Sequence, residues 1–367
     1  MSVNDQDLAR TTEHRVPRND APDWWIYRGT GRPPHDIDLT ELLPPPPSWR
    51  TYSGGPLPDP DLPPPDDGEA DRRLGTEYHL SDTDIDPHEL DMVNAALYLR
   101  RPLLVTGNPG IGKSSLAYRI ARELGLGRVL RWPITSHVTL RSGLYDYDAI
   151  GRAQAAATTA TTAAARQGDE PADEPPVGDF LRLGPLGTAF LPSRRPRVLL
   201  IDELDKSEAD LPNDLLSLFE DGEFTIPELA RVRTRSPEVT VHTADPHRTA
   251  AVVDGRVACH AFPVVVMTSN GEREFPPAFL RRCLQLRIQN PDLEQLAAIV
   301  ANHVLDQNGE HRDRLIREFV ERSKADGGLP TDRLLDAVYL ATSGAYQPDQ
   351  VAWPRLVDAL WHKLTVR

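Results

Sequence analysis

Apolar and polar positions change their period along this chain, and the changes predict its elements. In "DPHELDMVNAALYLRRPLLVTG" the residues Leu90, Val93, Ala96 and Leu97 recur at helical spacing and stop before Pro102. "PLLVTG" then reads as a short buried strand, and "SSLAYRIARELG" as an amphipathic helix. Val198 to Ile201 form a second buried strand, and "FPVVVMTSN" at 262–270 a third. Strands alternating with helices over residues 81–290 predict an α/β domain built on a parallel sheet. From "PDLEQLAAIVANHVL" onward the pattern is helical throughout, punctuated by Gly327, Gly328 and Pro330. Residues 291–367 are therefore expected to form a small all-helical domain.

Two stretches lack either period. The first 68 residues hold 14 of the 35 prolines, including runs at 44–47 and 63–65. Such a segment builds no hydrogen-bonded element of its own and has little apolar surface to bury. Residues 1–80 are thus expected to be largely disordered or polyproline-like. The cluster "DWWIYR" around Trp24 and Trp25 stands out within them, as a segment docked on the domain, an incidental solvated stretch or a linear motif for a partner. The second stretch, "AQAAATTATTAAARQGDEPADEPP" at 153–176, is of low complexity. Its alanines extend a helix and its acidic end reads as an exposed insertion.

Charge narrows the function. The chain carries a net charge of -14 over 367 residues, and residues 1–86 hold 18 acidic against 8 basic side chains. That balance disfavours a general nucleic-acid binder, which needs a basic face. "RRPR" at 194–197 and "RVRTR" at 231–235 are the basic stretches on the other side of that account. The sequence has no apolar run of eighteen residues, hence no membrane span, and no secretory signal. Only Cys259 and Cys283 occur, which excludes a disulfide framework and favours a cytoplasmic location.

The chemistry begins at "GNPGIGKS", residues 107–114, which matches G-x-x-x-x-G-K-[ST] between a strand and a helix. Gly107, Gly110 and Gly112 let the backbone of Asn108, Pro109, Ile111 and their neighbours turn N–H groups toward phosphate oxygens. The helix that opens with Ser114 and Ser115 adds its dipole. Lys113 would reach the β- and γ-phosphates, and the Ser114 hydroxyl would ligate Mg²⁺. The strand Val198–Ile201 delivers Asp202 and Glu203 to its C-terminal end, where open α/β sheets bind ligands. Asp202 would hold magnesium through water and Glu203 would polarise an attacking water. That pair favours hydrolysis over phosphoryl transfer to a metabolite. Asn270, ending the third strand, either orients the same water or caps the turn before Gly271. Arg281 and Arg282 follow Pro276 and Pro277 at the rim of this face.

In this order the motifs resemble the AAA+ ATPases, and within them the MoxR family, over about residues 88–345. "GNPGIGKSS" is similar to Walker A, "LLIDELDKSEADLPNDLLSLFEDGEF" to Walker B and its acidic helix, and "FLRLGPLGTAF" to the close of the helix-2 insertion. "MTSN" resembles sensor 1, "FLRRC" the arginine-finger segment and "LPTDRLLDA" sensor 2. The chain departs from the usual "DEINRA" with "DELDKS", from "LDRF" with "LRRC", and in a longer 222–262 segment, so a divergent subfamily is expected. The resemblance implies a three-layer P-loop NTPase fold with a helical lid. It also implies ATP with Mg²⁺ and a homo-oligomeric ring, typically hexameric, with nucleotide at each interface. It aligns Arg282, ahead of Arg281, with the finger supplied in trans, so their expected anion is a γ-phosphate held by a neighbouring subunit, not a carboxylate of their own chain. A finger of this kind is worth about 10³–10⁵ in rate, or roughly 4–7 kcal/mol. Arg333 would read the γ-phosphate in cis from the lid. The activity implied is remodelling of a partner protein, often one with a von Willebrand A domain. A nucleic-acid motor of the same fold and a slowly hydrolysing, nucleotide-gated scaffold are the alternatives.

Overall fold

The computed structural model describes residues 22–32, 38–59, 61–75, 86–165, 175–303, 309–326, 329–342 and 353–361. Two short helices, α1 (Leu39–Leu42) and α2 (Glu69–Leu74), interrupt an extended N-terminal segment. Helix α3 (Pro87–Leu99) starts where the Asp86 side chain accepts the His88 N–H and Pro87 fixes the first turn. The chain then runs through β1 (Leu103–Thr106), α4 (Ser115–Glu123), β2 (Leu130–Pro133), α5 (Leu140–Leu144), β3 (Tyr145–Tyr147) and α6 (Ala149–Ala165). Next come β4 (Leu181–Leu183), α7 (Pro185–Ala189), β5 (Val198–Asp202), α8 (Leu211–Asp221), β6 (Glu223–Thr225) and α9 (Pro227–Ala230). Strands β7 (Glu238–His242), β8 (Thr249–Val253), β9 (Arg256–Ala258) and β10 (Val264–Ser269), helix α10 (Pro277–Leu280) and β11 (Leu284–Arg287) complete the α/β part. The described C-terminal part is helical: α11 (Leu293–His303), α12 (Gly309–Asp326), α13 (Thr331–Thr342) and α14 (Trp353–Leu360).

The central sheet has the order β11-β1-β10-β5-β2 with every pair parallel. Alternate residues of each strand feed opposite layers, as a two-residue period demands. Leu103, Val105, Val198, Leu200 and Val266 pack with α3 and α4, whereas Leu104, Leu199, Ile201, Val265 and Met267 pack with α7, α8 and a second sheet. This is a three-layer P-loop NTPase fold. Because all five strands run one way, their C-terminal ends share one edge. The lid has its own core, in which Leu296, Phe319, Val338 and Trp361 are buried.

The second sheet, of order β3-β4-β7-β8-β9-β6, is not anticipated by the pattern. It is antiparallel apart from β4 against β7. Four of its strands are three residues long, too short to establish a period. It absorbs the long 222–262 segment.

The expectation of a disordered tail is corrected for the described residues before 76. Trp25 and Tyr27 are buried, and Asn94 of α3 clasps the backbone there, accepting from the Ile26 and Tyr27 N–H groups and donating to the Tyr27 carbonyl. "DWWIYR" is therefore docked on the domain. Buried Glu123 of α4 accepts the N–H groups of Arg28 and Gly31. Further along, Arg50 and Tyr52 both donate to the Phe219 carbonyl. Lacking its own ladder, the proline-rich chain takes its hydrogen-bond partners from the domain beneath it. The alanines of the insertion do form a helix, α6. Its acidic end at 166–174, the punctuating Gly327 and Gly328, and residues 1–21 lie outside the described residues.

Candidate active site

Three of the parallel strands end at a cavity of about 800 Å³. The loop after β1 forms its floor. There Gly110 has φ +74 and Gly112 φ +91, angles that side chains other than glycine rarely adopt. A Cβ on Gly110 would also lie 2.4 Å from the Pro330 side chain of the lid. Its carbonyl accepts the Thr331 N–H at 3.1 Å, so loop and lid touch directly.

Lys113 is buried and its ammonium makes three hydrogen bonds, to the carbonyls of Gly107 (2.8 Å) and Asn108 (2.7 Å) and to Oδ1 of Asn270 (2.7 Å). Burial pushes it below the ordinary lysine value, against the pull of Asp205, Asp202 and Glu203. Ser114 Oγ donates to Asp202 Oδ1 at 2.6 Å, and Thr268 Oγ1 donates to the same oxygen at 2.9 Å. Arg131 holds the other oxygen, Oδ2, through Nη2 at 2.7 Å and Nε at 3.1 Å. Burial alone would raise the Asp202 carboxyl, but the bonds from Ser114, Arg131 and Thr268 outweigh it and hold the group below its usual range. It is a carboxylate at neutral pH.

Glu203 sits in the left-handed region, at φ 62 and ψ 48, and its N–H donates to Thr268 Oγ1. Strain of this kind at a strand end is concentrated at functional positions. Its half-exposed carboxylate accepts from Lys206 at 2.7 Å. Buried Asp205 orders the neighbouring loop: Oδ2 accepts the N–H groups of Asn270 and Glu272, while Oδ1 meets no hydrogen-bond donor among the described residues.

The structure therefore brings together the phosphate loop, Lys113, Ser114, Asp202, Glu203 and Asn270. The arginines expected to complete the site stand apart from it. Neither Arg281, Arg282 nor Arg333 lines the cavity, although Thr331, Asp332 and Leu335 beside Arg333 do. Arg282 donates from Nε to Glu220 at the end of α8 and from Nη1 to the Ala278 carbonyl. The expectation that this arginine meets no carboxylate of its own chain is thus corrected. Both partners are 40% exposed or more, and such pairs are worth about 0–1 kcal/mol. Arg281 is exposed.

Sequence reasoning missed Arg131, Thr268 and Asp205, together with Arg72 and Arg73, which α2 brings to the cavity wall. Thr268 lies within the strand read as ending in Asn270, one turn of the pleat earlier. The signal for Arg131 was a lone arginine at the end of a short apolar run, "VLRWP". The basic stretch "RRPR" is spent internally. Arg197 makes a buried two-pronged pair with Asp245 (2.8 and 3.0 Å), and Arg195 pairs with Asp38.

Ser114 and Asp202 offer two hard oxygen donors, one of them ionised, beside a phosphate loop. Among the described residues no group of three or more His, Cys, Asp or Glu is arranged to hold a metal. That donor set fits Mg²⁺, which takes one or two protein oxygens and completes its shell with water and substrate phosphates. No helix among the described residues is long and apolar enough to cross a membrane.

Residues 102–283 match the AAA domain family, dynein-related subfamily. No curated protein matches the chain. Among solved structures it is similar to the crystal structure of the FIGL-1 AAA domain in complex with ADP. That likeness has 15% identity and a TM-score of 0.32, and it covers 70% of this chain and 65% of that one.

Proposed function

With residues 102–283 forming an AAA domain, we propose that this chain binds ATP with Mg²⁺ and hydrolyses it in a homo-oligomeric ring. The observation that carries the reading is the convergence of three strand ends. Ser114 on Asp202 and Lys113 on Asn270 tie the phosphate loop to the ends of β5 and β10. The ammonium already satisfies its three donors with uncharged oxygens. Exchanging them for phosphate oxygens sets the ammonium against full negative charge in place of uncharged carbonyls. Bound metal supplies charge neutralisation at the phosphate oxygens. Glu203 then takes the proton of the attacking water. The new bond forms from water oxygen to Pγ, and the Pγ–O bond breaks with its electron pair leaving on ADP. Glu203 must first leave Lys206, a half-exposed pair costing about 0.2–1 kcal/mol to open. Asn270, placed by Asp205, orients the water.

The finer reading is a divergent MoxR-type ATPase that remodels a partner protein, with a von Willebrand A domain as the expected partner class and a hexamer as the expected ring. The motif order supports it, and Arg282 serves as finger across the interface once a neighbour displaces Glu220. Arg194, Arg195 and Arg197 contact the chain itself, which leaves the nucleic-acid alternative with only the exposed Arg231, Arg233 and Arg235. The test is steady-state ATP turnover beside nucleotide binding. Lys113→Ala loses binding, and Glu203→Gln binds ATP but turns over at least 100-fold more slowly. Wild-type turnover in both variants sinks the assignment. In mixed rings, Arg282→Ala subunits restore activity to Lys113→Ala subunits if the finger acts in trans.

A further inference from the structure

Arg131 is a cation on the wall of the cavity that also holds the phosphate loop, Asp202 and Glu203. It lies on β2, the outer strand of the sheet, which pairs with β5 in the register Pro133↔Asp202. Alternation buries Leu130 and Trp132 and turns Arg131 out to the cavity wall. There it forms the charged part of the shell around Asp202, whose other oxygen is held by two hydroxyls.

This pair is unlike the interior ion pair of Arg197 and Asp245. Arg197 and Asp245 have side chains 10% and 4% exposed, so both ends are locked in the interior. In the Arg131–Asp202 pair the carboxylate side chain is 8% exposed but the arginine is 41% exposed, on the cavity side. A guanidinium buried together with Asp202 would be locked to it, as Arg197 is to Asp245. This one keeps an open approach to the space between the phosphate loop and Glu203. Its charged neighbours are Asp202 from β5 and Glu69 of α2, with the neutral phenol of Tyr118 on α4 beside them.

We propose that Arg131 is a catalytic residue, a cis-acting arginine that covers Asp202 in the empty site and donates to the terminal phosphate of bound nucleoside triphosphate. This rests on the nucleotide-site reading above. Ser114 and Asp202 are the donors that fit a divalent cation, and a guanidinium on Asp202 competes with that cation for the same carboxylate. Once released it carries a planar fork of N–H donors suited to phosphate oxygens, and it stays protonated throughout. Arg131 exchanges hydrogen bonds only; the proton of the attacking water goes to Glu203.

The experiment is titration calorimetry of the full chain with ADP and with ATPγS, in Mg²⁺, on wild type, Arg131→Gln and Arg131→Lys. A charge-assisted contact to the γ-phosphate predicts that the ATPγS-over-ADP preference falls about 10- to 100-fold in Arg131→Gln. The lysine variant, which keeps a point charge, falls part of the way. The Mg²⁺ concentration that half-saturates the ADP complex also drops in Arg131→Gln, because the competitor for Asp202 is gone. An unchanged preference, or equal losses for both nucleotides, overturns the proposal and leaves Arg131 a support for Asp202. If Arg131→Gln does not fold, Arg131→Met, which keeps the stem without the charge, is read in the same way. A wild-type chain that binds neither nucleotide defeats the reading of the site instead.

Discussion

Asn94 is the point at which the N-terminal strap can be unfastened. It is fully buried on α3, and its amide makes four bonds. Oδ1 accepts from the N–H groups of Ile26 (2.8 Å) and Tyr27 (2.9 Å), and Nδ2 donates to the carbonyls of Tyr27 (2.7 Å) and Leu90 (2.8 Å). Asn94→Ala strands both N–H groups and the Tyr27 carbonyl if the strap stays in place. At about 1–3 kcal/mol for each stranded group, that amounts to about 3–9 kcal/mol. Releasing the strap instead exposes Trp25 and Tyr27, at about 1.5–3 kcal/mol each, or about 3–6 kcal/mol. The two costs overlap, so the variant shifts a large fraction of molecules to a released strap while the sheet stays folded. Limited proteolysis then cuts within residues 22–32 at least about tenfold faster than in wild type, which corresponds to about 1.4 kcal/mol. Tryptophan emission shifts to the red as Trp25 meets water, and the main melting transition moves by only a few degrees. Cleavage at the wild-type rate with unchanged emission would refute the claim that this clasp holds the segment.

Three other outcomes follow from single contacts. Thr268→Val removes the hydroxyl shared by Asp202 and the Glu203 N–H; turnover falls about tenfold or more while nucleotide affinity stays within about threefold, since a stranded N–H at Glu203 costs about 1–3 kcal/mol. Arg197→Ala leaves the Asp245 carboxylate buried with only Arg128, at 3.5 Å, and lowers the urea-derived stability by about 3–5 kcal/mol, part of which returns on adding Asp245→Ala. Burial pushes the thiols of Cys259 and Cys283 up to about 12. Because a raised thiol stays protonated below its pKa, iodoacetamide at pH 8 labels neither cysteine in the folded chain and both after unfolding, as mass spectrometry would read directly.

What could be read in advance was whatever lies contiguous in the chain. The phosphate loop carries its glycines, lysine and serine within eight residues, between a strand and a helix that announce themselves by period. Asp202, Glu203 and Asn270 were legible because each ends an apolar run. Arg131 was not, because its role depends on β2 lying beside β5, a neighbour relation that no local period encodes. The strap was misjudged for a related reason. A proline-rich chain without a ladder looks unstructured until the surface offers it partners such as Asn94, Glu123 and the Phe219 carbonyl. The pairing of Arg282 with its own Glu220 was not legible either, since that carboxylate arrives from a helix sixty residues earlier.

The contact between Gly110 and the lid has a mechanical meaning. Helix α13 has 12 residues, so it is about 18 Å long. Its first N–H is pinned to the phosphate loop, where no side chain could fit between the two. The loop is therefore a fulcrum and the helix its lever arm. A tilt of about 5° at the pinned end carries the far end by about 1.5 Å. A shift too small to notice at the loop is thereby enlarged to a visible stroke at the far end of the helix.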